Sequence, residues 1–90
     1  FKLEELRNQI DRVDNYIMDV LADRMEIVEK IGEFKRQNNI TILQSSRWDE
    51  IVHDRIQKGN DKHLTEDFIK DLFEAIHQES IRHQTKVMNK

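Results

Sequence analysis

The feature that most constrains this chain is an apolar seam running through its N-terminal stretch. Leu3, Leu6, Ile10, Val13, Ile17, Val20, Arg24, Ile27, Ile31 and Phe34 recur in alternating steps of three and four. That spacing is a helical seam of coiled-coil type, sustained for about five heptads. A helix from about Lys2 to Gln37 would be ~54 Å long. A compact chain of this length has a radius of gyration of roughly 12 Å, hence a diameter near 30 Å. The helix therefore overshoots its own globule, and its apolar face needs a cover. A second copy of the chain, interlocked with the first as a homodimer, is the economical cover. A kink at Gly32 or loss of the first turns are the alternatives.

The remainder supports an all-α chain of three helices forming one domain over residues 1–90. The 90 residues include no proline and only two glycines, and 37% are charged, which suits long solvated helices better than the turns of a β-protein. The first helix is expected to end in Arg36-Gln37-Asn38-Asn39 and the β-branched Ile40-Thr41-Ile42. A second opens at "QSSRWDE", with Ser45 or Ser46 as N-cap and Ser46 with Asp49 at capping-box spacing, and closes at Lys58-Gly59. Thr65 caps a third, with Glu66 and Asp67 in its first turn. Its stripe reads Ile69, Phe73, Ile76, Ser80 and Gln84, with Leu72 and Val87 alongside.

Composition excludes several classes of function. A net charge of −3 with interspersed signs argues against nucleic acid or an anionic membrane as partner. No apolar run reaches the ~20 residues of a membrane span. The absence of cysteine removes disulfides, thiol nucleophiles and thiolate metal sites, and fits a reducing, cytoplasmic setting. His53, His63, His77 and His83 share no face at ligand spacing, so no metal site is expected. No Ser-His-Asp order or glycine-rich phosphate loop is present. Trp48 is expected to anchor the core rather than stack on bases. The opening at Phe1 rather than a methionine suggests a trimmed chain or a domain cut from a longer one.

The informative residues are polar ones on apolar stripes. Arg24 interrupts the seam, and Lys35 follows three turns later on the same face, about 16 Å along the axis. Ser80 and Gln84 occupy apolar positions of the third helix, and Arg47 lies in the first turn of the second. Arg7 lies near the far end of the first helix, where only an antiparallel partner helix brings it to the others. Taken singly, each has an ordinary explanation. Arg24 is a register-setting residue paired with a carboxylate, Lys35 a solvated complement to the helix dipole, and Ser80 and Gln84 mark a helix emerging into solvent. Arg7 and Arg47 are surface arginines. Taken together, cations and amides on inward stripes of three helices, without matching carboxylates, suggest a site for a small anion.

These residues carry a resemblance. Over essentially its full length the chain resembles the all-helical (type II) chorismate mutases. The likeness runs through "LRNQIDRVDNYIMDVLADRMEIVEKIGEFK", an arginine at the head of helix two, and "ES…Q" late in helix three. The resemblance implies an intertwined dimer of three-helix chains with two equivalent sites. It also implies conversion of chorismate to prephenate on the route to phenylalanine and tyrosine. Arg24, Lys35, Arg47, Ser80 and Gln84 would line each site, with Arg7 donated by the other subunit. The arginines would hold the substrate's two carboxylates, and Lys35 and Gln84 would contact the ether oxygen of the breaking bond. Gln44 falls where many members carry aspartate. Where the family usually has a glutamate directly after the helix-two arginine, to engage the ring hydroxyl, this chain has Trp48. Either a shift of the first turn lets Asp49 take that contact, or the contact is lost or is supplied by backbone near Gln44 and Ser45.

The implied reaction is an intramolecular pericyclic rearrangement. It calls for no nucleophile, proton transfer or cofactor, and none is suggested by the sequence. Two alternatives stand beside it. One is isochorismate-pyruvate lyase chemistry on the same fold. The other is a non-catalytic dimerisation or regulatory module of a larger shikimate-pathway enzyme, to which the domain would be fused.

Overall fold

The computed structural model describes residues 2–90, which form three α-helices: α1 (Leu3–Gln37), α2 (Ser45–Asn60) and α3 (Glu66–Met88). No strand occurs among the described residues. Helix α1 runs unbroken for 35 residues, without a kink at Gly32 or loss of its first turns. Its stop is local chemistry. Asn39 adopts φ 56°, and the Ile40 amide donates to the Lys35 carbonyl at 2.9 Å, a Schellman closure. The polar segment expected to end the helix does so with asparagine in the left-handed position.

The other caps depart from expectation. Neither Ser45 nor Ser46 is the N-cap of α2; the helix already includes both, and Gln44 takes that place without a side-chain cap bond. Thr65 does hold the N-cap position of α3, again with no side-chain bond, and Glu66 and Asp67 occupy the first turn as expected. Gly59 does not terminate α2 by a left-handed turn. The helix continues to Asn60, and His63 carries the positive φ, 64°. Gly59 instead permits close approach, since a Cβ there would lie 2.6 Å from Cγ1 of Ile69. The second helix thus crosses the start of α3 at a point that admits no side chain.

Helix α3 lies between the other two and packs on both, while α1 and α2 make no backbone contact among the described residues. The molecule measures 55 × 27 × 14 Å, and its radius of gyration is 16.3 Å. A thickness of 14 Å is little more than one helix with its side chains. The helices form a single layer, and a single layer cannot bury both faces.

The core reflects this. Met25, Val28 and Ile76 form the buried cluster, flanked by Leu21 and Phe73. Helix α1 therefore turns the stripe Leu21-Met25-Val28-Gly32 toward α3, one position round from the apolar seam. The seam itself faces outward: Ile10 is 59% exposed, Val13 54% and Ile27 56%. Gly32 brings α1 against α3, because a Cβ there would sit 3.2 Å from the Gln84 Cα. On α3, Ile69, Ile76, Ser80, Gln84 and Val87 are all buried. The stripe stays inside through its two polar members, so they do not mark an emergence into solvent.

Candidate functional site

A cavity of about 370 Å³ opens beside the α1–α3 contact, roofed by the start of α2. Its size falls in the range of small-molecule sites. Six of the seven residues singled out from the sequence line it: Arg24, Lys35, Gln44, Arg47, Ser80 and Gln84. The seventh, Arg7, does not. It lies exposed in the first turns of α1, about 25 Å along the helix from Arg24.

Each helix positions its contribution by simple periodicity. Arg24 projects from the edge of the buried α1 stripe, and its Nη1 donates to Ser80 Oγ at 2.9 Å. Ser80 Oγ in turn donates to the Ile76 carbonyl at 2.8 Å, so its lone pairs face the arginine. Lys35 comes from the last turn of α1, held by the Schellman closure. Its Nζ donates to the Ile42 carbonyl at 2.8 Å and to Gln84 Oε1 at 3.0 Å. An ammonium has three donors, which leaves Lys35 one more to offer. Accepting at Oε1 also fixes the Gln84 amide, leaving its Nε2 as a donor with no protein partner among the described residues. Lys35 and Gln84 thus form a pair with free N–H groups in the cavity lining, and Arg24 is held at Ser80.

The electrostatics are one-sided. Arg24, Lys35, Arg47 and Arg55 line the cavity, and no aspartate or glutamate does. Neither Arg24 nor Lys35 has a carboxylate within ion-pair distance among the described residues, which removes the reading of Arg24 as half of an internal ion pair. Arg47 lies 3.7 Å from Glu50, with both side chains well exposed, a weak pairing. Arg55 pairs with Asp54 and leans over the Phe73 ring at 5.9 Å. Burial pushes the pKa of Lys35 below the ordinary lysine range. Arg24 is pushed down as well, first by burial and then by the charge of Arg55. Both are charges in an environment that disfavours charge, and an incoming anion relieves that cost.

Two expectations about the helix-two start are corrected. Trp48 is not a core anchor. It is half-buried, lines the cavity, and stacks on the His77 ring with centroids 4.0 Å apart and planes at 17°. Its place in the first turn of α2 sets it over the cavity rather than in the Met25-Val28-Ile76 cluster. Asp49 does not reach the cavity either. It lines a separate groove with Val52, His53 and Glu74, on the outer side of Trp48.

Arg55 and His77 are lining residues that the sequence reading did not single out. Spacing carried a signal for both. Arg55 follows Arg47 by eight residues, about two turns, and His77 precedes Ser80 by three and Gln84 by seven on the same stripe. No group of side chains suited to a metal ion occurs among the described residues. No described helix is long and apolar enough to cross a membrane.

Comparison with known proteins bears on this site. The family model described as chorismate mutase type II matches residues 6–85. The chain is 32% identical over 84 residues to the bifunctional chorismate mutase/prephenate dehydratase of Buchnera aphidicola subsp. Acyrthosiphon pisum, covering 93% of this chain and 22% of that protein. It is 34% identical over 68 residues to the chorismate mutase of Methanocaldococcus jannaschii, covering 76% and 68%. It is 27% identical over 90 residues to the 4-amino-4-deoxychorismate mutase of Streptomyces venezuelae, covering 99% and 86%. The chain spans about a fifth of the length of the bifunctional relative.

Proposed function

From the premise that this chain belongs to the type II chorismate mutase family, we propose that it converts chorismate to prephenate in the cavity beneath α2. The observation that carries this reading is the cavity's charge: four cations and no acid, with the hydrogen-bonded Lys35–Gln84 pair in its lining. A dianion of modest size is the ligand such a cavity fits. Arg24 and Arg47 take its carboxylates, assisted by Ser80 and Gln44, and Lys35 and Gln84 meet the ether oxygen.

The chemistry needs little more. In this rearrangement the ether C–O bond breaks as a new C–C bond forms within the same molecule. Clamping both carboxylates selects the folded conformer in which the reacting carbons are close, which lowers the entropic part of the barrier. Negative charge grows on the ether oxygen as its bond lengthens. The spare N–H of Lys35 and the Gln84 Nε2–H, already fixed by their mutual hydrogen bond, donate to that charge without reorganising. Neither group has to accept or deliver a proton. Because the Gln84 amide is neutral, turnover persists through neutral pH, and a rate that collapsed on deprotonation near pH 5 to 6 would contradict the assignment.

The same reading includes a homodimer with Arg7 of each chain donated to the other's cavity. The outward seam of α1 supports it. Fully burying a valine, leucine or isoleucine side chain stabilises by about 1.5–3 kcal/mol, and residues 3–20 hold six such seam positions that no part of their own chain covers. A second copy crossing antiparallel covers them and carries Arg7 across. Fusion to a further enzyme of aromatic amino-acid synthesis, as in the bifunctional relative, is part of the proposal for the whole protein, as is a cytoplasmic location.

A steady-state assay on chorismate tests the reading, with prephenate measured as product. Wild type is expected to turn over. Lys35→Ala is expected to fall by about 10²- to 10³-fold in kcat, the usual effect of deleting one oxyanion donor. Equal rates in both proteins would remove the site. Salicylate formed from isochorismate would instead support lyase chemistry.

A further inference from the structure

The wall of the cavity formed by Trp48, His77 and Arg55 has no part in the mechanism just described. Each observation about it concerns what it lacks. The position after Arg47 carries an indole, and that indole is stacked on the His77 imidazole. Of the next acids in the chain, Asp49 faces the outer groove and Glu50 lies beside Arg47, outside the cavity lining. Asp54 engages Arg55 and Lys58 without lining the cavity. Whatever pose a ligand takes, each wall it meets from this chain is cationic, neutral or apolar.

The two kinds of relative differ, by their names, in one ring substituent: hydroxyl in chorismate, amino in 4-amino-4-deoxychorismate. Aliphatic amines keep a proton near neutral pH, with reference pKa values of roughly 8 to 10. The amino substrate thus carries an ammonium into the site. Here that ammonium finds Arg24, Arg47, Arg55 and Lys35, and no carboxylate. Like charges set together in a desolvated site discriminate strongly. Trp48 offers little substitute through its ring, because the face toward His77 is already covered.

We propose that Trp48, backed by His77 and with Arg55 beside it, makes this cavity selective for a ring bearing a neutral hydroxyl and against its ammonium analogue. The inference rests on the mutase reading and names its substrate class more closely. Trp48 acts here as a specificity determinant, by keeping a counter-charge out of the site.

The test is the ratio of kcat/KM for chorismate over 4-amino-4-deoxychorismate, measured in the purified wild-type protein, Trp48→Glu and Arg55→Leu. The ratio does not depend on how much of each preparation is folded. Wild type is expected to favour chorismate by at least ~10-fold. Trp48→Glu is expected to cut the ratio about tenfold or reverse it, and Arg55→Leu to narrow it by a smaller factor in the same direction. Should Trp48→Glu fail to accumulate, Arg55→Leu carries the test alone. A wild type that uses the amino substrate as well or better overturns the inference, as does a ratio unmoved by the variants. Absence of turnover on either substrate would sink the mutase reading instead.

Discussion

The two halves of α1 carry the same apolar seam to different ends. From Leu21 onward the helix packs on α3 through Met25, Val28 and Gly32, and the polar members of its stripes converge on a cavity. From Leu3 to Val20 every residue is exposed, so its own chain leaves that stretch of the seam uncovered. A helix that only needed to build a cavity would have no use for the first half. A helix that only needed to dimerise would have no reason to hold Arg24 and Lys35 among apolar neighbours at the cost of desolvating them. The difference is what the proposed dimer requires of α1: one end packed in its own chain, the other left bare for a second copy.

That contrast can be broken at either end. The largest effect is expected at the cavity half. Arg24→Leu should cost about 10²- to 10³-fold in kcat/KM for chorismate, by removing a carboxylate anchor. The same change should leave the melting temperature unchanged or raised, since leucine suits the seam and the repulsion with Arg55 disappears. Loss of activity together with a substantial loss of stability would make Arg24 a structural residue. At the bare half, the double change Ile10→Asp with Val13→Asp should abolish the dimer in sedimentation or light scattering. If that face met only water, the two aspartates would change nothing beyond about 0.5 kcal/mol.

A smaller effect sharpens the electrostatic side. Lys35 sheds its proton at lower pH in the folded chain than in the unfolded one. The folded state therefore binds fewer protons across the window between those two pKa values, and stability should rise with pH there, which urea unfolding across the alkaline range can measure. Below that window the cost of the buried charge is fully present. Turnover should run the opposite way, flat through neutral pH and falling as Lys35 loses the proton it donates with. Bound substrate anions favour the charged form, so the alkaline limb of kcat should lie at higher pH than that of kcat/KM.

Much of this was legible in the sequence because helical periodicity is a strong constraint. The three helices and the stripe from Ile69 through Ser80 and Gln84 follow from spacing, and the end of α1 at Gln37 from the polar segment that follows it. The inward placement of polar residues exposed the cavity before any geometry did. What spacing left open was which of two adjacent apolar stripes on α1 faces α3. Leu21-Met25-Val28-Gly32 and the heptad seam lie one residue apart, and both are apolar enough to bury, so only tertiary packing chooses between them. Arg55 escaped notice although it lies two turns beyond Arg47, because read singly an arginine on a short charged helix looks like a solvated one. Trp48 was misplaced because size and apolarity argue for a core, whereas its position in the first turn of α2 puts it at the cavity wall. The expected serine caps failed because α2 already begins at Ser45, which leaves Gln44 as its N-cap.

The most direct test joins the two halves of α1. Under the proposed dimer, in which Arg7, about 25 Å along α1 from Arg24, serves the neighbour's cavity, Arg7→Ala and Lys35→Ala are each expected to be nearly inactive. When the two variants are unfolded together and refolded, half the dimers should be mixed, and each mixed dimer should contain one site with neither substitution. Activity should then recover to about a quarter of wild type. A mixture no more active than its parts, or an Arg7→Ala protein as active as wild type, would show that the bare half of α1 contributes nothing to the chemistry.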